Sequence, residues 1–193
     1  MTISSSCAIT YYLAANPDAQ RKLQKELDEA LENEDDAATS FEAVKNLPYL
    51  NAVINEALRL HSTSGIGLPR LVPEGGMTIQ GHFFKEGTVL SVPTYTIHRD
   101  REVWGDDVTA YRPERWFERN NDAIQRTFNP FSYGPRCVLF KESWLVWDDK
   151  PCYRGCVGRN LAVLELLIIV SSIFHRFEMV LEHPDETVRS LGS

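Results

Sequence analysis

Apolar residues recur at helical spacing along the first part of the chain. Residues 8–15 form an apolar run compatible with a helix. Asn16 and Pro17 end that run and begin a second helix, with Asn16 as its N-cap and Pro17 at its first position. The apolar positions of the second helix share one face: Leu23, Leu27 and Leu31. The acidic segment 32–40 has no apolar period, which predicts a solvated linker.

A third helix is predicted from Pro48 to about His61. Its apolar positions also share one face: Leu50, Val53, Ile54, Ala57 and Leu58. The short β-rich runs of residues 77–92 predict a small hairpin around Gly81. The charged and aromatic segment 104–118 is predicted to be irregular. Helical structure is therefore expected mainly over residues 1–65.

The longest apolar run begins at Leu161 and predicts a helix over residues 158–177. It contains Glu165 and is shorter than the roughly 20 residues that a bilayer requires, so we expect a buried helix. The whole pattern predicts a mainly α fold with a small β-element.

Composition restricts the function classes. The chain has 193 residues, 43% of them hydrophobic, and a net charge of -7, which argues against nucleic-acid binding. Four cysteines are too few and too unevenly spaced for a secreted disulfide framework. Cys7 is expected to pack among small residues. The histidines are scattered and are expected to be surface or capping residues: His61, His82, His98, His175 and His183.

Two charged residues of the third helix, Glu56 and Arg59, are three positions apart and therefore lie on one face, where they can pair. Such pairs are common on helices and carry little meaning alone. Arg115 could share the Glu56 carboxylate as a second, bidentate partner and hold segment 104–118 against the helix.

A cysteine-bearing loop is divided into two pieces, FSYGPR at 131–136 and GCVGRNLA at 155–162, by a segment rich in Trp, Asp and Lys. Rejoined, the pieces place Cys156 at the start of the long helix, where backbone N–H groups and the helix dipole stabilise a thiolate. A thiolate is a soft metal ligand. The loop offers further groups for a flat cofactor, a ring beside the sulfur, two glycines that allow close approach and a cation for a carboxylate: Phe131, Gly134, Gly158 and Arg136.

These motifs resemble those of the cytochrome P450 family of haem-thiolate monooxygenases. The pattern Phe-x-x-Gly-x-Arg-x-Cys-x-Gly corresponds to residues 131–136 and 156–158 across the insertion. Glu56 with Arg59 corresponds to Glu-x-x-Arg, and Pro-Glu-Arg at 113–115 supplies Arg115 to complete the family's Glu-Arg-Arg network. Sequence segments such as EALRLHSTSGIGLPR, at residues 56–70, are most similar to those of the fungal benzoate para-hydroxylases.

The resemblance implies the C-terminal, proximal part of the family fold, incomplete, over residues 1–193. It implies haem with Cys156 as axial iron ligand and Arg70 as a haem-propionate partner. Electrons would come from NADPH through a partner reductase, NADPH-cytochrome P450 reductase. The substrate would be a small aromatic acid such as benzoate, near Ser64 and Ile66, and Thr2 would be a remnant of the oxygen-activating helix.

A whole family member of this kind is expected at the cytosolic face of the endoplasmic reticulum membrane, held there only by an N-terminal anchor that this chain lacks. The chain itself is expected to be a truncated, inactive fragment of a hydroxylating enzyme. The alternative is a non-catalytic gene product that binds no haem.

The insertion 137–154 has three interpretations. It begins at Cys137 and ends at Arg154 with codons compatible with an intron donor and acceptor, and its removal gives FSYGPRGCVGRNLA. A retained short intron is our hypothesis, and a true surface-loop insertion is the alternative. A zinc site built from Cys137, Cys152 and Cys156 lacks the usual C-x2-C spacing.

Overall fold

A computed structural model describes residues 2–32, 38–118, 121–132 and 156–183. The elements follow in chain order: α1 (Thr2–Ala15), α2 (Pro17–Ala30), α3 (Phe41–Val44), α4 (Pro48–Leu60), β1 (Arg70–Leu71), β2 (Met77–Ile79), β3 (His82–Phe84), β4 (Val89–Leu90), α5 (Thr94–Ile97), α6 (Arg101–Trp104), α7 (Arg115–Glu118), α8 (Asn121–Thr127) and α9 (Arg159–Phe174). The predicted mainly α fold with a small β-element is confirmed.

The chain divides into two compact units. The first unit comprises Met1–Leu58, Ala110–Glu118 and Ala162–Ser193. Its core includes the three leucines that were predicted to share one face of α2: Leu23, Leu27 and Leu31. Apolar side chains of α1, α4 and α9 are also fully or almost fully buried in this unit: Ile9, Leu13, Leu50, Val53, Leu166, Val170 and Phe174.

Helix α1 begins earlier than its apolar run indicated. The Ser6 and Thr10 hydroxyls donate to the carbonyls of Thr2 and Ser6, four residues back, at 2.9 and 3.0 Å. Serine and threonine inside a helix satisfy their hydroxyls in this way. Asn16 occupies the predicted N-cap position of α2, and Pro17 begins the helix, but the Asn16 side chain makes no capping hydrogen bond. Its Nδ2 donates backwards to the Tyr12 carbonyl at 2.8 Å instead.

A side chain from α2 completes the N-terminal end of α4. The Glu26 carboxylate accepts hydrogen bonds from the backbone N–H groups of Tyr49 and Leu50, both at 2.8 Å. The first N–H groups of a helix have no partner within the helix, and a negative charge there also opposes the positive end of the helix dipole. Glu26 therefore fixes where α4 begins relative to α2.

The second unit comprises Arg59–Thr109 and Arg119–Leu161. Strand β1 pairs antiparallel with β4, and β2 pairs antiparallel with β3. Gln80 and Gly81 join β2 to β3 with positive φ angles of 49° and 82°, as a two-residue hairpin turn requires. The predicted hairpin around Gly81 is confirmed.

Three other sequence expectations need correction. Segment 104–118 was predicted to be irregular but contains the short helix α7, and α9 ends at Phe174 rather than at 177. Cys7 is exposed rather than packed. No helix within the described ranges is long and apolar enough to cross a bilayer.

Candidate functional site

A backbone hydrogen bond in the second unit joins the two pieces of the divided cysteine loop. The Cys156 N–H donates to the Phe131 carbonyl at 3.0 Å, and the Cys156 carbonyl accepts from the Arg159 N–H, at the start of α9, at 3.1 Å. The Arg159 guanidinium carbon lies 5.8 Å from the centre of the Phe131 ring. The thiol of Cys156 is exposed. The loop thus presents one accessible sulfur close to the beginning of a long helix.

Space beside this sulfur is open. A Cβ placed on Gly158 would have one neighbour within 4 Å, the Cys156 Sγ at 3.9 Å, which is ordinary van der Waals contact. The described part of the chain therefore leaves room for a flat group at this position. Gly134, Arg136 and the insertion 137–154 lie outside the described residues.

A pocket of about 370 Å³ is formed within the second unit. Two predicted site residues line it, Ser64 and Arg70, together with apolar residues of the β strands. Arg70 also donates to the Pro69 carbonyl at 3.2 Å and to the Leu68 carbonyl at 3.4 Å. Ile66 does not line this pocket and is 85% exposed.

Glycine is needed at one point of the loop beside the pocket. Gly67 has a φ of 75°, and a Cβ there would lie 2.1 Å from the Val92 carbonyl oxygen. The Gly67 N–H donates to the Ser64 carbonyl at 2.9 Å. The loop that carries Ser64 therefore keeps its shape only with glycine at position 67.

Asn129 and Ser132 also line the pocket, and the sequence did not identify them. The Asn129 Oδ1 is buried and has no hydrogen-bond partner among the described residues. A buried carbonyl oxygen without a donor is unfavourable, and no group among the described residues satisfies this one. Only their position before the cysteine loop could have drawn attention to these residues.

A fully buried ion pair lies in the first unit. The Arg115 Nε donates to the Glu56 Oε1 at 2.8 Å, and both side chains are fully buried. Oε1 also accepts from the Arg112 backbone N–H at 3.1 Å, and Oε2 accepts from the Trp116 Nε1 at 3.1 Å. One carboxylate of α4 thus holds three points of segment 110–118.

Arg59 is fully buried in the second unit. Its Nη1 donates to the carbonyls of His98 and Val108 at 2.9 and 2.7 Å, and its guanidinium carbon lies 5.2 Å from the centre of the Trp104 ring. That Arg59 shares the Glu56 carboxylate stays a prediction.

His98 was expected to be a surface or capping residue, and its surface placement is wrong because the side chain is fully buried. Its Nδ1 lies 3.2 Å from the Arg59 carbonyl, near the end of α4, and its Nε2 lies 3.0 Å from the Asn129 backbone N–H. Burial lowers the pKa of His98 from 6.5 to about 4, and the charges of Arg59 and Arg99 act in the same direction. The ring is therefore neutral near pH 7.

We expect acid to destabilise the fold through His98. The pKa is about 4 in the folded chain and 6.5 ordinarily. The contribution of neutral His98 to the free energy of unfolding is complete above pH 6.5. It is lost as the pH falls towards 4, because the unfolded chain takes up a proton that the folded chain excludes. The full difference between the two pKa values corresponds to roughly 3 kcal/mol of unfolding free energy. Urea unfolding at about pH 7 and about pH 4 should show a larger loss for the wild type than for His98→Phe. Equal losses in the two forms would contradict this prediction.

The remaining predicted groups are more isolated. Thr2 lies in the first turn of α1 in the first unit, and its carbonyl accepts from the Ser6 hydroxyl. Within the part of the chain that the structure describes, no cluster of three or more His, Cys, Asp or Glu side chains could hold a metal ion. Cys137 and Cys152, which the zinc alternative requires, lie outside that part.

Known proteins resemble the chain over most of its length. The cytochrome P450 family model matches residues 2–138. The benzoate 4-monooxygenase bphA of Aspergillus niger is 44% identical, over 96% of this chain and 33% of that protein. The pisatin demethylase of Fusarium vanettenii is 33% identical, over 96% of this chain and 32% of that protein. A cytochrome P450 monooxygenase of Aspergillus oryzae is 34% identical, over 90% of this chain and 31% of that protein. The chain spans about a third of the length of these relatives.

Proposed function

The chain belongs to the cytochrome P450 family, and from this premise we propose that it is part of a haem-dependent monooxygenase in which Cys156 is the axial iron ligand. The observation that carries the proposal is the exposed thiol of Cys156, a residue that lies three positions before α9 and whose backbone N–H donates to the Phe131 carbonyl. Residues 1–193 then form part of one family domain.

The described residues fit a haem. Among the described residues, a Cβ built on Gly158 would have only the Cys156 Sγ within 4 Å, so the described part of the chain leaves room for a flat group at this glycine. Arg70 lines the pocket of about 370 Å³ in the same unit and carries the positive charge that a propionate would need. Phe131, Gly134 and Arg136 complete the proposed cofactor-binding set.

A bound haem with a thiolate ligand supplies the activation of O2 and the transfer of one oxygen atom to the substrate. The work of this chain is to hold the sulfur, to orient the cofactor through Arg70 and to shape one wall of the pocket. Thr2 is the proposed residue for proton delivery. Electrons would arrive from NADPH through NADPH-cytochrome P450 reductase, at the cytosolic face of the endoplasmic reticulum membrane in the whole enzyme.

We propose a small aromatic acid such as benzoate as the substrate. The supporting comparison is the relative from Aspergillus niger, named benzoate 4-monooxygenase and 44% identical. Ser64, which lines the pocket, and Ile66, which is exposed on the same loop, are the proposed substrate-contacting residues. The reduced carbon monoxide spectrum that tests Cys156 as the iron ligand also tests the alternative, a gene product without haem.

We also propose that segment 137–154 derives from a retained intron. The family model match ends at Val138, the second residue of the segment. A hydrogen bond from the Cys156 N–H to the Phe131 carbonyl joins the described residues on the two sides of the segment. Arg136 joined directly to Gly155 would restore an uninterrupted cysteine loop.

The ligand assignment predicts one cysteine-specific loss. In the product of the whole gene with residues 137–154 removed, Cys156→Ala should abolish the thiolate-ligated band of the reduced carbon monoxide spectrum. Cys7→Ala is the matched control, since Cys7 is also an exposed free cysteine, and should leave the band unchanged. Retention of the band in Cys156→Ala would refute the assignment. A complete lack of bound haem would favour the non-catalytic alternative.

A further inference from the structure

The buried ring of His98 connects the end of α4 to the segment just before the cysteine loop. Its two nitrogens face two backbone groups, the Arg59 carbonyl at 3.2 Å and the Asn129 N–H at 3.0 Å. The last carbonyls of a helix have no partner within the helix, so His98 satisfies one of them. Arg99 satisfies the next, because its Nη2 donates to the Leu60 carbonyl at 2.8 Å.

These two partners determine the tautomer of His98. A carbonyl only accepts, so the Nδ1 that faces Arg59 must carry the proton. A backbone N–H only donates, so the Nε2 that faces Asn129 must offer its lone pair. A neutral imidazole with the proton on Nδ1 meets both requirements. The pKa of about 4 keeps the ring neutral over the physiological range.

Asn129 is the first residue of a tight turn that leads to the cysteine. The Ser132 N–H donates to the Asn129 carbonyl at 3.0 Å, which closes a turn over residues 129–132. Pro130 occupies the second position of this turn and fixes its own φ angle. Phe131 is the third residue, and its carbonyl accepts the Cys156 N–H.

We propose that His98 is a positioning residue for Cys156, acting through the Asn129 amide and the turn that carries the Phe131 carbonyl. Three hydrogen bonds of 3.0 Å make this connection. The Asn129 N–H donates to the His98 Nε2, the Ser132 N–H donates to the Asn129 carbonyl, and the Cys156 N–H donates to the Phe131 carbonyl. The meaning of this position for catalysis rests on the proposed function, in which Cys156 binds iron. The hydrogen-bonded connection itself does not.

Aromatic neighbours hold the ring in this orientation. The Phe128 ring stacks on His98 with 5.4 Å between ring centres, and the Trp104 ring meets it edge-on at 6.1 Å. Phenylalanine at position 98 would keep this packing and lose both hydrogen bonds. Glutamine would lose the aromatic stacking but could return an acceptor to the Asn129 N–H. The two substitutions therefore separate the packing of the ring from its hydrogen bonding.

Amide hydrogen exchange of the whole chain tests the connection without any cofactor. His98→Phe should speed exchange at the Asn129 and Cys156 amides by about tenfold. The Asn129 amide loses its acceptor, and the turn that carries the Phe131 carbonyl, the acceptor of the Cys156 amide, loses its support. His98→Gln should return both rates to within about threefold of the wild type. The amides of α2, in the other unit, should not change in either variant.

Three outcomes would overturn the inference. The first is an unchanged Cys156 amide in His98→Phe, and the second is an Asn129 amide that exchanges freely in the unaltered chain. The third is an equal rise in the exchange rates of the α2 amides, which would mean that His98 stabilises the whole fold rather than positioning Cys156.

A spectroscopic measurement then links the connection to iron binding. In the whole enzyme without residues 137–154, His98→Phe should lower the fraction of thiolate-ligated carbon monoxide complex by about threefold or more, and His98→Gln should restore most of it. An unchanged fraction in His98→Phe would overturn the role of His98 in positioning the ligand. If the unaltered enzyme lacks the band, the proposed function fails, while the exchange rates still decide the connection.

Discussion

Removal of residues 137–154 is expected to produce a thiolate-ligated band in the reduced carbon monoxide spectrum that the longer form lacks. A thiolate pocket needs its backbone donors and glycines to converge on one sulfur with a tolerance of about 0.5 Å. With the insertion present, Arg136 and Cys156 are joined by a long connection instead of one residue. The extra loop-closure entropy is modest, about 0.6 kcal/mol for each doubling of length, so α9 itself should form in both versions.

The experiment compares two versions of the whole gene product, with and without this segment. The shortened form should show the band, and Cys137→Ala in the longer form should change nothing, because we assign the sulfur ligand to Cys156. The hypothesis is wrong if the longer form shows the same band and loses it in Cys137→Ala. Sequencing of the mature message gives an independent result, since a retained intron predicts a spliced transcript in which Arg136 is followed by Gly155.

Local signals in the sequence predicted the four long helices, α1, α2, α4 and α9, and the hairpin of β2 and β3. The spacing of Leu23, Leu27 and Leu31 predicted the buried face of α2, and all three are buried. The short β-rich runs around Gly81 predicted the hairpin, and β2 pairs with β3 there. Such features depend on the chain's own period and on glycine geometry, which neighbouring residues determine. Asn16 also takes the predicted N-cap position of α2. Its side-chain bond was not predictable from local sequence, because an asparagine between two helices can serve either one, and here it bonds to Tyr12.

The contacts around the candidate site were beyond the reach of local patterns. His98 touches Arg59 and Asn129, which are 39 and 31 positions away in the sequence. A histidine in a short polar stretch carries no mark of burial, so its neutral buried state was missed. Asn129 and Ser132 were missed for a similar reason, since a pocket assembled from distant loops has no periodic signature. Cys156 could be identified only because a known motif surrounds it.

Breaking the Glu56–Arg115 ion pair is expected to have the largest effect on stability. Both side chains are fully buried and lie 2.8 Å apart. Arg115→Met would leave the buried Glu56 carboxylate without that guanidinium and should lower the free energy of unfolding by about 3 to 5 kcal/mol. Urea unfolding followed by tryptophan fluorescence measures this, and Trp116, whose Nε1 donates to the same carboxylate at 3.1 Å, reports locally.

Lys22→Met provides the control within the same unit. Lys22 and Glu114 also form an ion pair, at 2.6 Å, but their side chains are 56% and 32% exposed. Water already solvates such a pair well, so its loss should change the free energy of unfolding only slightly. A cost for Arg115→Met no larger than this control would contradict the assignment of the buried pair as a structural bond.

The double variant Glu56→Gln with Arg115→Met separates the charge effect from the packing effect. Each single variant leaves one charge in a buried position, whereas the double variant leaves neither. The glutamine keeps one amide oxygen, which can accept from the Arg112 N–H or from the Trp116 Nε1 but not from both, because these donors bond to different oxygens of Glu56. The double variant should therefore cost less unfolding free energy than the sum of the two single variants, with a coupling of about 1 to 3 kcal/mol. Additive costs would mean that the carboxylate and the guanidinium act separately, and that segment 110–118 is held by its other contacts.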